Sequence, residues 1–228
     1  MYSWIIENRE LLKVFYGLII GIISFIIVFK TDKLFRLSFH NGIRYFRNAF
    51  LFYGIAFIIR YLLGAFSFYG YILPDYYFLI NIMFEFFLVM AGFFLVYSLL
   101  WRRFDNSKGD YASSLLNRKI SFFYFMAFII VFLDYLWQTH YFMFISQIIL
   151  FAYASIISYS NYKKNRIKHK FPKFYFVAML LTLITWVLNF ILALYFNWNK
   201  GILINVYIIN VIIFLLFLYG VIKVTRVK

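Results

Sequence analysis

The chain has 228 residues, 65% of them hydrophobic, with a mean hydropathy of +0.84 and a formal net charge of +15. Apolar runs exceeding about 18 residues indicate one all-α, multi-pass membrane domain spanning residues 1–228, with no room for a soluble catalytic domain. The chain has no cysteine, which excludes disulfides, thiolate metal sites and cysteine nucleophiles; His40, His140 and His169 are too scattered for a ligand set, so no metal and no cofactor are expected.

Hydropathy predicts seven transmembrane helices, at about 11–29, 44–66, 76–100, 119–138, 141–160, 173–196 and 202–222. The first follows Glu7 and Glu10 and precedes Lys30 and Lys33, the reverse of a cleavable signal peptide, so it is expected to be retained. Its Gly17 and Gly21 form a G-x-x-x-G that suits close helix packing. In "KLFRLSFHNGIRYFRN", Lys33, Arg36, His40, Arg44 and Arg47 recur every three or four residues, beside a stripe of Phe35, Phe39, Phe46 and Phe50. Two readings fit: an interfacial helix facing anionic lipid or a partner, broken at Gly42, or an ordinary cytoplasmic excess of basic residues.

The second helix places Ala49, Tyr53, Ala56, Arg60 and Gly64 on one stripe, and the third does the same with Asn81, Glu85, Leu88 and Gly92. Ala127, Asp134 and Gln138 share a face of the fourth. Small and polar residues on one face mark a packed interior. A charge at the centre of a membrane helix costs roughly 2.5–3.5 kcal/mol, so Arg60 is expected to pair with Glu85, with Asp134 in the same pocket. At about 1.5 Å of rise per residue, all three charges fall in the outer half of the membrane. Gln147 of the fifth helix, Trp186 and Asn189 (beside Thr182 and Thr185) of the sixth, and Asn205 and Asn210 of the seventh add polar groups at similar depth. The ligand pocket is therefore expected to comprise Arg60, Asn81, Glu85, Asp134, Gln138, Gln147, Trp186, Asn189 and Asn205, unless this is a charge network that serves packing alone.

The connections alternate in charge. Nineteen Lys and Arg lie in segments 30–47, 102–119 and 163–173 and in the C-terminal tail, against three in the alternate connections. The positive-inside rule then places the N-terminus outside and the C-terminus in the cytoplasm of a cell-membrane protein. Membrane insertion accounts for the basic charge without nucleic acid.

Motifs narrow the function by what they omit. The last helix has no mid-span lysine for a retinal Schiff base and no proline, the third ends "LLWRRFD" without a receptor-type acidic-Arg-aromatic triplet, and the Pro-Gln type of helix break used by small sugar transporters is missing. No G-x-S-x-G or intramembrane-protease motif occurs. The segments "HNGIRYFRNAFLFYGIAFIIRY" (residues 40–61) and "FEFFLVMAGFFLVYSLLWRR" (84–103) resemble, in layout and style, the second and third helices of the seven-helix membrane input modules of microbial histidine kinases. That resemblance implies a sensor or receptor-like module that signals through a separate cytoplasmic partner, or a homo-oligomer, because no kinase domain is present. A small-solute or ion transporter or channel is the alternative, and an intramembrane lipid-modifying enzyme using Glu85 and Asp134 as acid and base is the second.

Overall fold

The computed structural model describes residues 9–63, 65, 74–104, 115, 118–164, 171–195 and 200–226. Long apolar stretches satisfy their backbone without water as helices or as closed barrels, and the described chain is helical. The helices are α1 (Arg9–Ser38), α2 (Asn41–Ile58), α3 (Pro74–Phe104), α4 (Arg118–Trp137), α5 (Tyr141–Lys164), α6 (Phe171–Tyr195) and α7 (Lys200–Arg226), with a π-helical turn, Ile59–Leu63, continuing α2. Among the described residues seven helices are long and apolar enough to cross a membrane. Gly64 and the connection 66–73 lie outside the described residues.

The α1–α2 junction differs from the sequence expectation. No separate interfacial helix forms: α1 runs on to Ser38 and α2 starts at Asn41. The break falls at Phe39 (φ 49°), whose N–H donates to the Phe35 carbonyl in a left-handed helix cap. Gly42 is needed for another reason, since a Cβ there would stand 2.6 Å from Nε1 of Trp101.

The short α1–α2 and α4–α5 turns make those helix pairs antiparallel, but chain order does not give the whole arrangement. Helices α1, α2, α3, α5, α6 and α7 pack in that order into a ring, which α7 closes against α1. Helix α4 sits outside the ring, against α3 and α5. It buries Ile120, Ala127, Val131 and Asp134 and exposes Phe122, Phe125, Phe128 and Phe132. The other outward faces are equally apolar: Ile19, Ile22 and Ile26 on α1, Ile149 and Ile156 on α5, Ile208 and Ile212 on α7. An exterior this apolar suits lipid as the solvent.

The G-x-x-x-G seats α1 against the end of α2. A Cβ at Gly17 would collide with the side chain of Tyr61, whereas one at Gly21 would lie 3.2 Å from Cγ1 of Ile58. Gly17→Ala is expected to cost about 1–3 kcal/mol through overpacking. Gly21→Ala should cost less, because Ile58 can yield by a few tenths of an ångström. Thermal unfolding of the two purified variants checks the order; equal losses would contradict this seating.

Candidate functional site

The ring encloses a cavity of about 450 Å³, within the range of small-molecule sites (about 300–1,000 Å³). All six ring helices line it. Toward the end that bears the α4–α5 turn, its wall carries Lys13, Tyr16, Arg60, Tyr61, His140, Asn189, Tyr207 and Asn210. Toward the α1–α2 turn it narrows into Phe50, Leu88, Leu95, Phe151, Ile213, Phe214 and Phe217. One end is cationic and hydrogen-bonding, the other is hydrocarbon and rings. Among the described residues no carboxylate lines the cavity.

Arg60 sits in the π-helical turn. Such turns insert a residue into the helical ladder and re-aim the side chains around it, and both Arg60 and Tyr61 line the cavity. The guanidinium lies 4.2 Å from the centroid of the Phe84 ring and 5.9 Å from that of Tyr61. Cation–π attraction of this kind offsets up to about 2 kcal/mol when desolvated. No carboxylate pairs with Arg60 among the described residues.

The expected Arg60–Glu85 pair is not formed, because Glu85 is taken by His140. Its Oε1 lies 2.5 Å from Nδ1 of the imidazole, with Glu85 itself buried. This bond ties α3 to the α4–α5 turn and fixes the ring of His140 on the cavity wall.

Asp134 has a different task. Helix α4 ends in a Schellman motif: Gln138 (φ 50°) donates to the Tyr135 carbonyl and Thr139 to the Asp134 carbonyl. The chain then turns straight into α5, whose N-cap position holds His140, a poor capping residue. The Asp134 carboxylate supplies the cap from the preceding helix. It accepts the N–H of Phe142 at 2.9 Å and of Met143 at 2.7 Å, and Thr139 Oγ1 at 3.4 Å. A buried anion on a helix N-terminus is held by both the amides and the dipole.

The remaining expected pocket residues divide. Trp186 and Asn189 line the cavity, Trp186 packing on Phe144. Gln147 is fully buried between α5 and α3, with Oε1 at 2.8 Å from where a Cβ on Gly92 would stand. Asn81 is half-buried on α3 and Gln138 is exposed in the turn; neither lines the cavity. The side chain of Asn205 lies outside the described residues. Sequence reasoning missed His140, Lys13 and the tyrosines. Asn210 Nδ2 donates to Tyr16 Oη at 3.0 Å, and Tyr16 stacks on Tyr207 at 4.4 Å, so this cluster closes α7 onto α1.

The basic stripe is partly neutralised within the chain. Asp32 accepts from both Arg36 (3.0 Å) and Arg47, while Arg44 and Arg47 lie over the Phe35 ring. Lys33 and Arg36 are left exposed.

At that end a second cavity, about 290 Å³, is lined by Thr31, His40, Ser98, Ser158, Asn161 and Tyr175 among others. Between the two cavities stand four rings in mutual contact, Phe46, Phe50, Tyr175 and Phe217 (centroids 4.8–6.2 Å). Among the described residues no cluster of His, Asp and Glu could hold a metal ion. No family model, no curated protein and no solved structure matches the chain.

Asp134→Ala is expected to cost about 1–2 kcal/mol, and Asp134→Asn less, since asparagine also caps. A thermal-unfolding mutant cycle should give Glu85 and His140 a coupling of about 1–2 kcal/mol, larger than that between Glu85 and Arg60. A larger coupling to Arg60 would reinstate the pair expected from sequence.

Proposed function

We propose that the chain is a multi-pass, receptor-like membrane module that binds a ligand in the larger cavity and relays occupancy to its basic end. In this reading the cavity opens in the outer half of the membrane, the N-terminus is outside and the C-terminus is cytoplasmic. The single observation that carries it is the course of α2. Its last turns and the π-helical turn supply Phe57, Arg60 and Tyr61 to the cavity, and its first turns hold Arg44 and Arg47 against Asp32 and Phe35 of α1. A ligand that shifts Arg60 therefore loads an element whose far end is the basic α1–α2 turn. That turn, with Lys33 and Arg36 exposed, suits anionic lipid or a cytoplasmic signalling partner.

Hydrogen–deuterium exchange of the detergent-purified protein, with and without a lipid extract of host membranes, tests the relay. Exchange should slow around the π-helical turn and also at the α1–α2 turn, there by about fivefold or more. Protection confined to the cavity would contradict a relay.

Transport is favoured by one observation, the two cavities end to end across a four-ring plug. If the plug is a gate, Phe50→Ala with Phe217→Ala should raise solute flux into reconstituted vesicles well above wild type. A wild-type rate of zero and an unchanged variant would leave the receptor reading alone.

A further inference from the structure

We infer that the ligand of the larger cavity is an anionic amphiphile, a carboxylate or phosphate monoester headgroup on a hydrocarbon chain. The inference rests on the binding half of the reading above and names its substrate class. Four observations meet in it.

Among the described residues the cavity wall holds Arg60, with Lys13 and His140 beside it, and no carboxylate. Arg60 is half-buried and faces rings, so nothing in its described surroundings neutralises it in a bundle whose exterior is apolar. The acid that could have done so, Glu85, is instead bonded to His140 Nδ1, which leaves Nε2 of that ring for a ligand. Finally, the far half of the same cavity is lined by hydrocarbon and aromatic side chains such as Leu88, Phe151 and Phe214.

Each half excludes a different ligand. A small inorganic anion would satisfy Arg60 and leave the apolar half empty or wet. A neutral hydrocarbon or alcohol would fill the apolar half and leave the half-buried guanidinium without a counter-charge, which is costly. A headgroup–chain molecule satisfies both. Arg60 supplies the planar two-pronged donor that matches carboxylate or phosphate oxygens. Asn189 stands on the same wall as a further donor. Carboxylate and phosphate share this chemistry, and the experiment below separates them.

The test is thermal unfolding of the full chain in a non-ionic maltoside micelle. It is titrated with dodecyl phosphate, dodecanoate or dodecanol at equal mole fraction in the micelle, and separately with inorganic phosphate. The anionic amphiphiles should raise the melting temperature saturably, and dodecanol and inorganic phosphate should not. The stronger responder of the two identifies the headgroup. In Arg60→Gln the apparent affinity should fall by about tenfold or more, while Arg60→Lys stays closer to wild type. Dodecanol matching dodecyl phosphate, inorganic phosphate matching it, or a folded Arg60→Gln protein binding like wild type would each overturn the inference. If Arg60→Gln does not fold, the wild-type headgroup comparison decides alone. A headgroup preference with no protection at the α1–α2 turn keeps this inference and removes the relay. A relay driven by lipid extract with no headgroup preference does the reverse.

Discussion

Buried polar groups in this bundle depend on partners inside the protein, because the outside of nearly every helix is Phe, Ile and Leu. The hydroxyls do so most cheaply. Ser24, Thr31, Thr182 and Thr185 each donate to the carbonyl four residues back, at 2.6–2.9 Å, and need no neighbouring helix. The carboxylates are used between elements: Asp32 holds Arg36 and Arg47 across the α1–α2 turn, Asp134 caps α5, and Glu85 anchors His140. Each of these three acids is thereby committed to the frame, and Arg60 is left facing a cavity through rings. The site follows from this allocation.

The six-helix ring is what gives the allocation a centre. With α4 displaced outward, α3 meets α5 directly through Gly92 and Gln147, and the Tyr16–Asn210 hydrogen bond closes the circle. Polar side chains on α1, α6 and α7, separated by most of the chain, then share one wall with Arg60. The described carboxylates that serve the frame and the cation that faces the cavity are therefore different residues. Asp134 and Glu85 are positioning groups that a ligand need not touch, whereas Arg60, Lys13 and Asn189 line the space itself.

How far the sequence spoke depended on the range of the interaction. The helices were legible because hydropathy is local, although α1 outran the expected boundary at Phe29. Lys30, Asp32, Lys33 and Arg36 lowered hydropathy there without breaking the helix, since cations suit a helix C-terminus. The inward turn of Arg60 was legible from small residues at helical spacing, and the close seat of Gly17 from its motif. The partner of Glu85 was not, because His140 lies in a turn and was weighed only as a metal ligand. The task of Asp134 was hidden by Gln138, a non-glycine residue at positive φ that gives no sequence sign of the tight α4–α5 turn. Gln147 and the Tyr16–Asn210 contact depend on which helices are neighbours, which periodicity along one helix does not encode.

The proposed site depends on Arg60 making the cavity wall cationic within an apolar shell, and single cysteines probe that directly because the sequence has none. The decisive measurement compares Asn189→Cys on the cavity wall with Phe128→Cys on the outer face of α4. Each is treated with an anionic and a cationic methanethiosulfonate reagent, and rates are normalised to those with free cysteine. Asn189→Cys should react, and faster with the anionic reagent by about an order of magnitude, a preference that Arg60→Gln diminishes. Phe128→Cys should react with neither. Preference for the cationic reagent at position 189, or equal reactivity at both positions, would contradict the account.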